Sequence, residues 1–136
     1  GYLSDIPRTF AIGKIDPELE KIYNIVLEAN LTGIKTAKPG MVAGKVDQAV
    51  REVIERAGYG KYFNHRTGHG LGMEVHESPY IYLENTAVLE SGMTFTIEPG
   101  IYIEGKGGVR IEDDVVITDS GCESLNSFPK ELRVIG

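Results

Sequence analysis

A chain of 136 residues, 41% hydrophobic and 25% charged, has the size of one globular domain and can bury one sizeable core. Its formal net charge of −6, with lysines and arginines scattered rather than gathered into a run, argues against nucleic acid or an anionic membrane as the main partner. Cys122 is the only cysteine, so no intrachain disulfide can form, and with no signal peptide or long apolar span visible a reducing cytoplasm is the expected compartment.

In chain order, Gly1 to Ile12 carries no start signal and reads as the continuation of a strand or turn begun upstream. Asp16-Pro17 then marks a helix start, and Leu19, Ile22, Tyr23, Val26 and Leu27 recur at helical spacing until Gly33 punctuates the segment. After the breaker Lys38-Pro39-Gly40, a second apolar stripe of Val46, Val50, Val53, Ile54 and Ala57 closes at Gly58. From about Phe63 the pattern changes to short runs between glycines and prolines, and Met93 to Ile97, Ile101 to Ile103 and Val109 to Thr118 are predicted strands. Helices grouped in one stretch and strands in the next predict an α+β fold, with an antiparallel sheet and helices packed on one face.

All three histidines fall within twelve residues, in His65-Arg66-Thr67-Gly68-His69-Gly70-Leu71-Gly72-Met73-Glu74-Val75-His76. His65 and His69 have the i,i+4 spacing of ligands on a helix, but three glycines there would each cost roughly 1 kcal/mol relative to alanine. An extended segment is therefore predicted, with Gly68, Gly70 and Gly72 baring the backbone on one face and His69 and Leu71 on the other. Each histidine alone fits an ordinary polar or core position. Three together, wrapped in glycine, favour a site, and a bend at Pro79 would bring His76 back toward His69.

Alternation places Phe95 and Ile97 on one side of their strand and Thr94, Thr96 and Glu98 on the other, before Pro99-Gly100 ends it. In Val109-Arg110-Ile111-Glu112 the same rule sets Arg110 and Glu112 opposite the apolar pair, so both glutamates are expected to face one cavity. Solvated strand faces, a structural Arg110–Glu112 pair, and an arginine that orients a liganding carboxylate remain open readings of these residues. Asp5, next to Ser4, fits a turn as well as a ligand. As a set, one imidazole and three carboxylates suit a hard or borderline divalent ion, Mn²⁺ ahead of Co²⁺, Zn²⁺ or Fe²⁺. Such a site acidifies a bound water and polarises a carbonyl, which is chemistry for hydrolysis.

The order Ser4-Asp5-Ile6-Pro7-Arg8-Thr9-Phe10, Gly68-His69-Gly70-Leu71-Gly72, Thr96-Ile97-Glu98-Pro99-Gly100 and Arg110-Ile111-Glu112-Asp113 resembles the pita-bread metallopeptidases, in their Xaa-Pro dipeptidase (prolidase) and aminopeptidase P branch. The resemblance runs along most of the chain and implies a partial pita-bread fold, residues 1–136 being the C-terminal portion of the catalytic domain. It implies metal ligation by Asp5, His69, Glu98 and Glu112, with Asp5 and Glu112 bridging two ions and His69 and Glu98 completing one of them. His76 would contact the substrate and the tetrahedral intermediate, Glu98 would shuttle the proton, and Arg110 would contact substrate or orient a ligand. His65, counted with the catalytic and substrate-binding residues, favours the proline-specific branch.

Two departures stand out: Pro7 replaces a threonine common in the family, and the family's first metal aspartate would lie upstream of Gly1. At most one well-held ion and severely reduced activity are therefore expected of this chain alone. The substrate implied is a Xaa-Pro dipeptide or a peptide with proline at its second position. The unpaired edge of the opening strand is a template for a homodimer or for aggregation. The competing readings are a non-catalytic module of this fold that binds a peptide or protein, and a creatinase-like amidinohydrolase, because fold alone does not decide substrate.

Overall fold

The computed structural model describes residues 10–12, 16–71, 79–125 and 133–135. The first helix, α1 (Pro17–Thr36), begins where the sequence signals it: the Asp16 carboxylate accepts from the Glu18 N–H at 2.8 Å, and Pro17 occupies a first-turn position that has no hydrogen bond to lose. It buries Ile22, Tyr23, Val26, Ala29, Asn30 and Gly33, a stripe at three- and four-residue spacing. Gly33 does not end the helix, contrary to expectation, and α1 runs on to Thr36. A Cβ at Gly33 would lie 2.8 Å from Val50 Cγ2 and 3.0 Å from Ile97 Cγ2, so this glycine serves a close crossing rather than a stop.

Helix α2 (Ala43–Arg56) lacks a side-chain cap. Its first donors go instead to the loop that follows the histidine segment, Ala43 N to Ala87 O and Gly44 N to Asn85 O, both at 2.8 Å. At the other end Gly58 takes φ +91°, its N–H reaching Glu55 O at 3.0 Å while the Tyr59 N–H reaches Ile54 O at 3.1 Å. This paired arrangement satisfies two otherwise stranded carbonyls. A short 3-10 turn, Gly60–Tyr62, leads into the histidine segment.

Four strands follow: β2 (Thr94–Ile97), β3 (Gly100–Ile103), β4 (Gly107–Arg110) and β5 (Asp113–Ile117). β2 pairs antiparallel with β5, which pairs with β6 (Cys122–Ser124), and β3 pairs antiparallel with β4. β1 (Phe10–Ile12) lies parallel to β7 (Arg133–Ile135). The predicted single run from Val109 to Thr118 is thus two strands, broken at Ile111-Glu112. The register explains the break. Ile97 lies opposite Asp113 and Gly100 opposite Arg110, so the two ladders share one continuous register that is interrupted where Pro99, with no N–H to donate, faces Ile111.

The helices cover one face of this sheet through two apolar clusters. One gathers Ile22, Val26, Val50 and Ile54 of the helices around Phe63, Ile101, Val109 and Ile111. The other packs Val46 and Ile81 against Phe95, Ile97, Val115 and Ile117. Buried Asn30 adds a polar tie, donating from Nδ2 to Ile97 O at 3.3 Å, so α1 is fastened to β2 one residue before Glu98. No helix among the described residues is long and apolar enough to cross a membrane.

Candidate functional site

The histidine segment is extended, as its glycines predict. Gly68 bridges Ile81 on one side and Gly70 bridges Phe95 of β2 on the other. Backbone bonds from Leu71 N to Thr94 O (3.2 Å), Thr96 N to His69 O (2.8 Å) and Glu98 N to Thr67 O (2.7 Å) make it an additional antiparallel neighbour of β2. A Cβ at Gly68 would fall on the carbonyl oxygen of Thr96, so only glycine lets the two backbones approach this closely.

That pairing sets His69 beside Glu98, with Nε2 and Oε2 3.2 Å apart. The other ring nitrogen, Nδ1, lies 3.0 Å from Gly70 O, which can only accept, so Nδ1 carries the proton. Nε2 therefore faces the carboxylate: a neutral ring turns a lone pair toward Glu98, and a protonated ring donates a hydrogen bond to it. A backbone carbonyl fixing the far nitrogen is also how metal-liganding imidazoles are usually oriented. Thr96 holds the carboxylate in turn: its hydroxyl donates to Glu98 Oε2 at 2.6 Å and accepts the His69 N–H at 3.0 Å.

The continuous register places Glu112, which is buried, directly across from Glu98. Two carboxylates facing each other across an antiparallel pair repel unless a positive charge joins them. Arg110 supplies one, with Nη1 3.7 Å from Glu98 Oε1. Among the described residues, however, no three histidines, cysteines, aspartates or glutamates gather closely enough to hold a metal ion. Asp5 and His76, a predicted ligand and a predicted catalytic residue, lie outside the described residues.

His65 stands apart from the His69–Glu98 pair. Its Nδ1 is 2.7 Å from Arg66 O, its ring meets the Phe63 ring edge-on at 4.8 Å, and its Nε2 is buried without a hydrogen-bond partner. Burial pushes the imidazole below its ordinary value, with the Arg66 carbonyl and Glu98 pulling the other way. A neutral ring with an unused buried acceptor is suited to receiving a donor from a bound molecule.

Three contributors were not singled out from sequence. Tyr102 has its ring flanked by Gly100 and Gly108, where added Cβ atoms would meet it, and centred 5.9 Å from the His65 ring. Burial raises its phenol, Arg110 opposing and Glu98 and Glu112 adding to the rise, so the hydroxyl shares the field of all three. Asp47 and Arg51 reach the histidine segment from α2. Their signal was present: Asp47 sits inside the apolar stripe, between Val46 and Val50, where a carboxylate needs a partner.

A family model for metallopeptidase family M24 matches residues 1–119. The chain belongs to metallopeptidase family M24. Over 135 residues this M24 chain is 51% identical to the uncharacterized peptidase YqhT of Bacillus subtilis, covering 99% of the chain and 38% of that relative. It is 50% identical over 131 residues to the Xaa-Pro dipeptidase of Pyrococcus furiosus, covering 96% of the chain and 38% of the relative. Among solved structures, the Xaa-Pro dipeptidase from Bacillus anthracis matches with a TM-score of 0.89 at 49% identity, over 94% of this chain and 36% of that one. The M24 chain thus spans well under half the length of these proteins. The expected α+β pita-bread architecture holds, with its antiparallel strands and two covering helices.

Proposed function

We propose that this chain forms part of the catalytic domain of a divalent-metal Xaa-Pro dipeptidase, with His69 and Glu98 holding one ion and Glu112 and Asp5 completing its carboxylate set. The observation that carries this reading is the His69 Nε2–Glu98 Oε2 approach of 3.2 Å, with Nδ1 committed to Gly70 and the carboxylate fixed by Thr96. The donor set is one imidazole with carboxylates, which favours Mn²⁺ over softer ions. Such an ion supplies Lewis-acid polarisation of a carbonyl and an acidified water.

The protein's own residues would do the rest. Glu98 would take and return a proton, a role supported by one oxygen accepting from Thr96 and the other lying near Arg110. Arg110 offers its charge to a substrate carboxylate, and His65 offers its unused Nε2 to a substrate donor. His76 is assigned to the oxyanion. Curated relatives called dipeptidases, including the Xaa-Pro dipeptidase of Pyrococcus furiosus, favour a dipeptide over a longer peptide.

The test is Mn²⁺ affinity by calorimetry on the protein and its His69→Ala and Glu98→Ala variants, with Xaa-Pro dipeptide hydrolysis followed on the same samples. Binding that disappears in both variants supports one shared site. Binding that persists in either, or a parent protein that binds no divalent ion, overturns the assignment. Hydrolysis of an amidino acid such as creatine in place of the dipeptide would move the substrate class while leaving the metal site in place.

A further inference from the structure

We propose that Asp47 and Arg51 are positioning residues, a clamp reaching from α2 that sets the register of the His65–His69 segment on β2 and so aims His69 at Glu98. The pair is one helical turn apart, and the Asp47 side chain is fully buried. Arg51 binds both carboxylate oxygens, from Nε to Oδ2 at 3.0 Å and from Nη2 to Oδ1 at 3.2 Å. Its fork also donates outward, from Nη1 to Phe63 O and from Nη2 to His65 O, each at 2.9 Å, while the guanidinium lies 4.2 Å from the centre of the Phe63 ring. Asp47 Oδ1 accepts from the Thr67 N–H at 3.2 Å and the Thr67 hydroxyl at 2.7 Å.

The clamp therefore grips main-chain groups of residues 63, 65 and 67, and these alternate positions fix both the depth and the phase of an extended segment. A slip of one residue would turn His69 to the opposite face, because side chains alternate with period two. The grip continues into the site: the Thr67 carbonyl that follows the clamped N–H accepts from Glu98 N at 2.7 Å. One path of hydrogen bonds thus runs from Asp47 through the Thr67 peptide to the backbone of the glutamate facing His69. Arg51 makes these four bonds from three nitrogens of a planar fork, whereas a lysine would have three donors on a single nitrogen.

The consequence for metal affinity rests on the function proposed above, whereas the positional role stands on geometry and has its own readout. Arg51→Lys keeps the charge and removes the fork; Thr67→Val removes the hydroxyl donor to Asp47 and serves should the lysine variant not fold. Val26→Ala, in the core of α1 and outside the hydrogen bonds of the clamp, is the control for general loss of stability. Amide hydrogen exchange at Glu98 and Thr96 is measured beside Mn²⁺ affinity.

The expected result is faster exchange at both amides in the two clamp variants than in Val26→Ala, and Mn²⁺ binding weakened by about 10–100-fold, the usual range for removing a group that orients a ligand. Exchange at Glu98 that matches the Val26→Ala control in both variants would overturn the proposal. Faster exchange in a protein that binds no metal at all would support the clamp and defeat the metal assignment.

Discussion

The two faces of β2 are both closed to solvent, yet they are built differently. Phe95 and Ile97 enter an apolar cluster in which many neighbours share the packing. Thr96 and Glu98, on the other face, depend on individual bonds: one hydroxyl between His69 N and Glu98 Oε2, one imidazole tethered to Gly70, one guanidinium from Arg110. Packing on the first face is collective and nondirectional, so it stabilises without specifying any single angle. The second face contributes little net stability for each bond but determines where a lone pair points. Five consecutive residues, β2 and the Glu98 that follows it, therefore separate stability from chemistry by alternation alone.

Substitutions can test that separation. Phe95→Ala removes a fully buried ring and should cost about 3–5 kcal/mol, measured by denaturant unfolding, with Mn²⁺ affinity of the folded fraction unchanged. A large loss of affinity there would mean that the two faces are not independent. Gly68→Ala forces a methyl group onto the Thr96 carbonyl, and should cost about 1–3 kcal/mol as an overpacked contact while abolishing metal binding, because the histidine segment must lift from β2. Thr96→Val keeps the shape and deletes the hydroxyl; a stability loss of about 1 kcal/mol is expected, with Mn²⁺ affinity lowered about tenfold.

The smallest effect concerns pH. Burial lowers the His65 pKa, so the unfolded chain takes up this proton more readily than the folded one. Its contribution to stability is therefore complete above the unfolded value of about 6.5 and is lost as pH falls through that value toward the folded one. Melting temperature should fall more steeply with acidification in the parent protein than in His65→Gln; parallel curves would assign the acid sensitivity to other groups.

Sequence revealed those features governed by local rules. Asp16-Pro17 started a helix where expected, and the glycines flanking His69 indicated an extended backbone. The alternation at Thr96 and Glu98 gave the correct faces. Gly33 was misread because the same residue that ends a helix also permits two helices to cross, and only the position of Val50 decides between them. The break at Ile111-Glu112 was invisible along its own strand, because its cause, Pro99, sits on the partner. Arg51 was passed over for a similar reason: its acceptors are carbonyls twelve and fourteen residues away, and carbonyls leave no mark in a sequence.

The parallel pairing of β1 with β7 has a consequence for the order in which the molecule assembles. It sets Phe10 beside Arg133, nearly the whole described chain apart, whereas β3 and β4 are joined by a tight turn and the two helices by a short connection. Closing so long a loop carries an entropic cost that nothing local offsets until the intervening elements are already in place. The helices and the β3–β4 hairpin should therefore become protected early in a pulse-labelled refolding experiment, with the β1–β7 ladder forming last, as a clasp on a structure otherwise complete.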